Sequence, residues 1–144
     1  MPEIGRMVSP DASLGHQLRL AAAKSTEQLS AALLPHGVTV GELTVLRTLY
    51  ESGAIAPSVL AASCGLTRGA VTKLVDRLRG KRLVVRADGG RADRRFQTIA
   101  LTGAGARLVP VLAAVEAASD VAVFGPLSDR DRQSLRRLIE GKAI

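Results

Sequence analysis

Aromatic residues are nearly absent from this 144-residue sequence, which has no tryptophan, one tyrosine and two phenylalanines. A platform that stacks the bases of single-stranded nucleic acid needs exposed aromatic rings, so the composition argues against one. Hydrophobic residues nevertheless make up 47% of the chain. Most are alanine, valine and leucine, and such small aliphatic side chains suit a core of packed helices. The length fits one domain, with or without an oligomerisation arm.

Cysteine occurs once, as Cys64, so no intramolecular disulfide can form. This usage is typical of a reduced, cytoplasmic protein. The N-terminus lacks the layout of a secretory signal, and no apolar run approaches the length of a membrane span. We therefore expect a cytoplasmic protein with no membrane partner. Cys64 precedes a predicted turn glycine, where a small buried side chain fits, and an exposed redox-sensing thiol is the alternative.

Residues that would indicate catalysis or metal binding are also missing. His16, His36 and Cys64 fall in different predicted elements and show no metal-ligand spacing. No serine lies in a nucleophile elbow, no carboxylate pair stands out, and the glycines do not form a phosphate loop. We expect no catalytic residues, no metal and no cofactor, and the protein is not predicted to be an enzyme.

Positive charge is concentrated in the middle of the chain. The formal net charge is +7. Residues 1–50 are neutral, residues 51–102 carry ten basic and four acidic side chains, and residues 103–144 carry a net +1. All ten central cations lie between Arg68 and Arg95. A basic block on a neutral scaffold is typical of a nucleic-acid-binding face, with a merely solvated basic surface as the alternative.

Hydrophobic periodicity predicts a mainly helical chain. Apolar residues recur at helical spacing from about Asp11 to Leu34, and again from Thr39 to Glu51. Thr39 and Glu42 have the spacing of a capping box at the start of the second helix. Ile55 is predicted to be extended, and Pro57–Ser63 forms a short helix with proline in its first turn.

The pattern of the next segment predicts a helix-turn-helix. Cys64, Gly65 and Leu66 form a tight turn, and Thr67 caps a helix that runs to about Gly80. The second helix of such a pair can enter the major groove of double-stranded DNA. Arg68 is predicted to reach a base edge, and Thr72 to donate to a phosphate or touch a thymine methyl group. The residues predicted to face DNA on this helix are Arg68, Gly69, Thr72, Lys73 and Arg77.

A basic hairpin comes next, with predicted strands Leu83–Ala87 and Phe96–Leu101 and a loop from Asp88 to Arg95. Placed after a helix-turn-helix, such a hairpin is the wing of a winged helix, although an ordinary solvated hairpin has the same pattern. Arg91 and Arg94 are predicted to contact the DNA backbone or the minor groove, whose negative potential favours arginine. Asp93 is predicted to hold the wing's shape by pairing with an arginine and with loop amides, and we assign Arg95 to the same structural task.

These segments resemble the MarR family of bacterial winged-helix regulators. The resemblance rests on TRGAVTKLVDRLRGKRLVVR followed by ADRRFQTIALTGAGARL, above all on Asp93, Arg95, Leu101, Thr102 and Gly105. It implies an obligate homodimer, a pseudo-palindromic operator and often a small-molecule or redox inducer. One departure is Arg82, because relatives usually carry glycine there, in a left-handed conformation. Arginine in that conformation would cost about 1 kcal/mol, unless the helix ends earlier, at Gly80.

Two further helices complete the chain, from Gly103 to about Phe124 and from Ser128 onward. Their thin apolar stripes need cover, which a second subunit would supply, or else a monomer packs its own ends together. We predict a dimerisation helix in residues 1–36, a winged helix-turn-helix domain in 37–102 and dimerisation helices in 103–144. The predicted function is a dimeric, sequence-specific DNA-binding regulator, most simply a repressor released by an unidentified effector. The alternative is a winged-helix protein-interaction module with only nonspecific DNA affinity.

Overall fold

The computed structural model describes residues 13–87 and 97–141. These residues form six α-helices and one two-stranded antiparallel sheet, so the predicted class, mainly α with a small hairpin, is confirmed. The elements are α1 (Leu14–Leu33), a 3₁₀ turn (Leu34–His36), α2 (Val40–Ser52), α3 (Pro57–Cys64), α4 (Arg68–Gly80), β1 (Val84–Ala87), β2 (Thr98–Leu101), α5 (Gly103–Phe124) and α6 (Asp129–Glu140).

The chain divides into two compact units, which differ from the predicted functional division. Leu33–Val115 forms one unit, and the described residues 13–32 and 116–141 belong to the other. The boundary thus falls inside α5 rather than before it. The predicted division into dimerisation and DNA-binding segments concerns function and stays a prediction.

The core of the larger unit is built from aliphatic side chains of α2, α3, α4, the sheet and the start of α5. Leucine and valine fill it almost entirely, and the least exposed large aliphatic side chains are Leu33, Leu46, Leu49, Leu60, Leu78, Ile99 and Leu112. Each helix buries one stripe and leaves its other faces polar, as the 3.6-residue period requires. The helices of the other unit bury little within one chain: none of the residues of α6 is buried.

At the start of α2, one of the two bonds of the predicted capping box is present. The Thr39 hydroxyl accepts a hydrogen bond from the Glu42 backbone N–H at 3.1 Å, so Thr39 does cap α2. The return bond of a capping box is replaced, because the buried Glu42 carboxylate binds Lys81 at 2.6 Å. An ion pair to a distant lysine satisfies the buried carboxylate better than a neutral N–H would.

The two predicted strands pair as a hairpin, with Val84 opposite Leu101 and Ala87 opposite Thr98. The first strand begins one residue later than predicted and the second begins at Thr98, whereas Phe96, the predicted first residue of that strand, lies outside the described residues. Ile55 forms a bridge to Ile99, through backbone hydrogen bonds of 3.1 and 2.8 Å. The prediction of an extended residue at Ile55 is therefore confirmed, and the bridge ties the α2–α3 connection to the hairpin.

Candidate nucleic-acid interface

The turn between α3 and α4 depends on one glycine. Gly65 has φ 65°, a left-handed conformation that side chains disfavour. The N–H of Gly65 bonds to the Ala62 carbonyl and the N–H of Leu66 to the Ala61 carbonyl, which closes α3 with a Schellman motif. The Thr67 hydroxyl then accepts from the Ala70 N–H at 3.1 Å and starts α4. Two caps within three residues thus set the angle of a helix-turn-helix.

Helix α4 has one buried and one exposed face. Val71, Val75 and Leu78 are at most 2% exposed and anchor it to the core. The five residues predicted to face DNA all lie on the exposed side: Arg68, Gly69, Thr72, Lys73 and Arg77. Their location agrees with the prediction, whereas their individual roles stay predictions.

One hydrogen bond in the structure bears on the role predicted for Thr72. The Thr72 hydroxyl donates to the Arg68 carbonyl of its own helix at 2.8 Å, so its hydrogen is not free for a phosphate. Phosphate oxygens only accept hydrogen bonds, so Thr72 can bond to one only by breaking its intrahelical bond. The outward contribution that remains is its methyl group, which suits a thymine methyl.

The space beside Gly69 is open. A Cβ atom added there would meet no atom of the described residues within 4 Å. A glycine within a helix is less favourable than alanine by about 1 kcal/mol. Packing of the described residues therefore does not account for the glycine.

Only part of the basic block is available for binding. Arg79 and Arg86 both lie near the Asp76 carboxylate, at 3.9 and 3.4 Å, and Lys81 is paired with Glu42. Within residues 13–87 and 97–141, the cations Arg68, Lys73, Arg77 and Arg82 have no carboxylate within ion-pair distance. Three of these four cations, Arg68, Lys73 and Arg77, lie on the exposed face of α4. Sequence reasoning missed the pairs Asp76–Arg86 and Glu42–Lys81, since they join residues 10 and 39 positions apart.

The C-terminal end of α4 explains the Leu-Thr-x-x-Gly part of the motif. The helix ends at Gly80, yet Arg82 is left-handed at φ 60°, so both alternatives considered for this departure occur together. The Thr102 hydroxyl donates to the Arg82 carbonyl at 2.8 Å and accepts from the Gly105 N–H at 3.0 Å. A side chain at Gly105 would collide with the Leu83 carbonyl oxygen. Thr102 and Gly105 thus join the end of α4 to the start of α5.

The wing loop itself lies outside the described residues. Arg91 and Arg94, predicted to contact DNA, and Asp93 and Arg95, predicted to shape the loop, all fall there. Their roles stay predictions.

An open groove of about 630 Å³ lies between the end of α4 and the hairpin. Its lining carries three arginines and one carboxylate: Asp76, Arg79, Gly80, Arg82, Val84, Val85, Arg86 and Thr102. The Nε atom of Arg86 is buried and makes no hydrogen bond with the described residues. The charged side chains that line the groove have a positive balance.

Cys64 is half-buried, between the two alternatives considered from the sequence, and its Sγ lies 3.5 Å from the Thr48 hydroxyl. Among the described residues, no group of three His, Cys, Asp or Glu side chains could hold a metal ion. No single helix of the described chain is long and apolar enough to cross a membrane, and two helix pairs reach that length only when taken together across a bend.

A capped helix pair, an exposed basic helix face and a hairpin bridged to the same core define a winged helix-turn-helix protein. The model of the MarR family matches residues 36–95. The chain belongs to the MarR family of transcriptional regulators.

Individual relatives are similar to this chain, in sequence or in structure, over most of its length. The HTH-type transcriptional regulator YhbI of Bacillus subtilis is 30% identical over 80% of this chain and 74% of its own. The HTH-type transcriptional repressor Rv2887 of Mycobacterium tuberculosis is 29% identical over 92% and 95%. Its crystal structure with DNA superposes with a TM-score of 0.75, covering 90% of this chain and 97% of that one at 28% identity. CouR of Rhodococcus jostii, bound to p-coumaroyl-CoA, has a TM-score of 0.81 at 27% identity, with 95% and 96% covered.

Proposed function

We propose that the protein is a homodimeric transcriptional repressor that binds a pseudo-palindromic DNA operator through α4 and is released by a small acidic effector. The observation that carries the proposal is the exposed face of α4, where the free cations of the basic block gather around a glycine that the fold does not require. The Rv2887 structure with DNA supports the same use of this fold. We further propose that the protein acts in the cytoplasm and catalyses no reaction.

The proposed contacts divide into two kinds. Arg68, in the first turn of α4, is closest to the end of the helix that enters the groove and would hydrogen-bond to a base edge. Gly69 would let the backbone approach the DNA, and the methyl group of Thr72 would meet a thymine. Lys73 and Arg77, one and two turns further on, would bind phosphates and set the register without reading sequence.

The dimer is proposed from the apolar surface that one chain leaves uncovered. In α6, Leu138 and Ile139 are 60% and 62% exposed. In α1, Leu14 and Leu18 are 80% and 51% exposed, and only Leu33 is buried. A second copy would cover these stripes, and its two-fold symmetry would place two α4 helices on two operator half-sites.

An acid is the effector class that the groove beside α4 favours. Its three arginines carry more positive charge than Asp76 can neutralise, and the exposed Val85 adds apolar surface. Rv2887 has also been crystallised with salicylic acid, an aromatic carboxylic acid. An acid bound here would touch the end of α4 and the first strand of the wing, and so could shift both.

The test begins with selection of bound DNA from a random pool by the wild-type protein. Affinity for the selected duplex and for a random duplex is then measured over a range of salt concentrations. Arg68→Ala should weaken binding to the selected duplex by about 1–3 kcal/mol and relax the preference at one or two base pairs. Lys73→Ala should weaken both duplexes alike and reduce the salt slope by about 0.9 for each phosphate that the variant no longer neutralises.

Arg107→Ala is the matched control, because Arg107 is an exposed arginine of α5 and belongs neither to α4 nor to the hairpin. It should change neither the preference nor the salt slope. Equal losses on both duplexes for Arg68→Ala and Lys73→Ala would refute the proposed orientation of α4. If the wild-type protein prefers no sequence, the protein-interaction module becomes the better account.

A further inference from the structure

Lys81 links three segments at the end of the recognition helix α4. Its ammonium donates to the Gly37 carbonyl oxygen at 2.7 Å and to Glu42 Oε2 at 2.6 Å. Lys81 directly follows α4, Glu42 lies in the first turn of α2, and Gly37 is the left-handed residue that ends the 3₁₀ turn. One side chain therefore connects the end of α4 to both the start of α2 and the turn before it.

Burial makes this connection matter. The Glu42 side chain is only 1% exposed, whereas that of Lys81 is 39% exposed. A buried carboxylate must keep a partner, and removal of one member of such a pair leaves an uncompensated charge. The Lys81–Glu42 pair is thus unlike the ion pairs of Asp76, which is 57% exposed and whose attraction to its partners is screened by water.

The pair also lies next to a close contact between α2 and α4. A Cβ at Gly41 would come within 3.1 Å of Leu74 Cδ2, so a larger residue there would require the end of the Leu74 side chain to shift. Glu42 follows directly in sequence. The glycine allows α4 to approach α2 closely, and the ion pair fixes where along α2 the end of α4 is held.

We propose that Lys81 is a positioning residue for DNA recognition, which holds α4 in its binding orientation through Glu42 and Gly37 and does not itself contact DNA. The proposal rests on the DNA-binding function above. By sequence, Lys81 belongs to the basic block and would be counted among the cations that bind phosphate. Its ammonium is instead occupied by two oxygens of its own chain.

The two roles differ in their dependence on salt. A lysine on a phosphate releases counterions when it binds, so its replacement lowers the salt slope. A positioning lysine releases none, so its replacement lowers affinity at an unchanged slope. Substitutions that act on binding through an intermediate element change affinity by about three- to thirtyfold.

The experiment compares Lys81→Met with Lys73→Met, the same change on the exposed face of α4. Both are measured on the duplex selected by the wild-type protein, at four salt concentrations and at a temperature where circular dichroism shows each variant folded. Lys81→Met should bind about three- to thirtyfold more weakly with the wild-type slope. Lys73→Met should reduce the slope by about 0.9 for each phosphate that is left without its cation. Lys81→Arg, which keeps charge and donors, should restore most of the affinity.

Glu42→Gln provides a second test that does not remove a cation. It removes a negative charge from the protein. If net charge were the only effect, this change would tighten binding to DNA. If Glu42 holds Lys81 in place, binding should weaken instead, again at an unchanged slope. This variant also keeps the inference testable if Lys81→Met fails to fold.

Three results would overturn the inference. A slope reduction for Lys81→Met equal to that of Lys73→Met would show that Lys81 binds a phosphate. Wild-type affinity in both Lys81→Met and Glu42→Gln would leave the pair without any role in recognition. If the wild-type protein binds no DNA at all, the proposed function fails and this inference fails with it, whereas the first two results refute the inference alone.

Discussion

Replacing Arg82 with glycine should stabilise the protein. Arg82 is the one non-glycine residue with positive φ in residues 13–87 and 97–141, at 60°. A left-handed conformation costs a residue with a side chain roughly 1–2 kcal/mol. Glycine avoids that cost. It also loses more conformational entropy on folding, which destabilises the folded state by about 0.4–1 kcal/mol. The net gain should therefore be about 0.5–1 kcal/mol.

Nothing in the described residues offsets this gain. Arg82 is exposed, and its guanidinium makes no hydrogen bond or ion pair with any of residues 13–87 or 97–141. Its carbonyl oxygen accepts from the Thr102 hydroxyl, and its N–H bonds to the Arg79 carbonyl. The Leu83 N–H also bonds to the Leu78 carbonyl at 3.0 Å, and these two N–H bonds close α4 with a Schellman motif. Glycine keeps all of these backbone groups, so the motif would be retained.

Thermal and urea unfolding would measure the effect. For a chain of this size, about 1 kcal/mol corresponds to a rise in Tm of about 2–4 °C. Arg82→Ala is the first control and should show no gain, since it removes the side chain but keeps a Cβ. Gly65→Ala is the reverse control, because Gly65 has φ 65° and open space around its missing Cβ, so it should lose about 1 kcal/mol. A Tm for Arg82→Gly at or below that of the wild type would refute the strain argument.

Four further predictions test other parts of the chain. Gly105→Ala should lower the free energy of unfolding by about 2–3 kcal/mol in urea titrations, because its Cβ would collide with a backbone carbonyl oxygen; a decrease below about 0.5 kcal/mol would contradict the packing. Gly69→Ala should stabilise the fold by up to about 1 kcal/mol yet weaken DNA binding, and unchanged affinity would show that nothing approaches there. Truncation after Gly125 should give monomers or aggregates in light scattering, so a soluble dimer would exclude α6 from the interface. In the wing, Arg91→Ala should weaken binding most on operators with A·T-rich flanks. Asp93→Ala should also weaken binding, although it makes the net charge more positive. If Asp93→Ala binds more tightly and the effect of Arg91→Ala does not depend on the flanks, the wing is only a nonspecific basic loop.

Local chemistry explains why the helices and their ends could be predicted from the sequence. Thr39, Thr67 and Ser128 all cap helices in the structure, as the sequence predicted, because a cap joins residues only two or three positions apart. The turn at Gly65 likewise depends on one residue's freedom to adopt positive φ. Periodicity of apolar residues then predicted which face of α4 is buried, and hence which residues are exposed.

The ion pairs could not be predicted from local sequence rules. The sequence has ten cations between Arg68 and Arg95. Their number does not show which of them are available to bind DNA and which are paired with a carboxylate of the same chain. Lys81 pairs with Glu42 across 39 positions and Arg86 with Asp76 across ten, and neither pair has a spacing that a local rule recognises. The assignment of Glu42 to a capping box failed for the same reason, since a distant lysine binds its carboxylate.

By itself, the sequence determined the helical class, the order of the elements, the caps and the exposed face of α4, because each depends on neighbours along one helix or turn. Only the tertiary structure decided which of the described cations of the basic block pair with carboxylates, that the buried Glu42 meets Lys81, and that Ile55 pairs with Ile99. It also showed why residue 105 is glycine. These outcomes depend on which segments meet in space, and contacts between distant segments follow from packing of the whole core rather than from local preference.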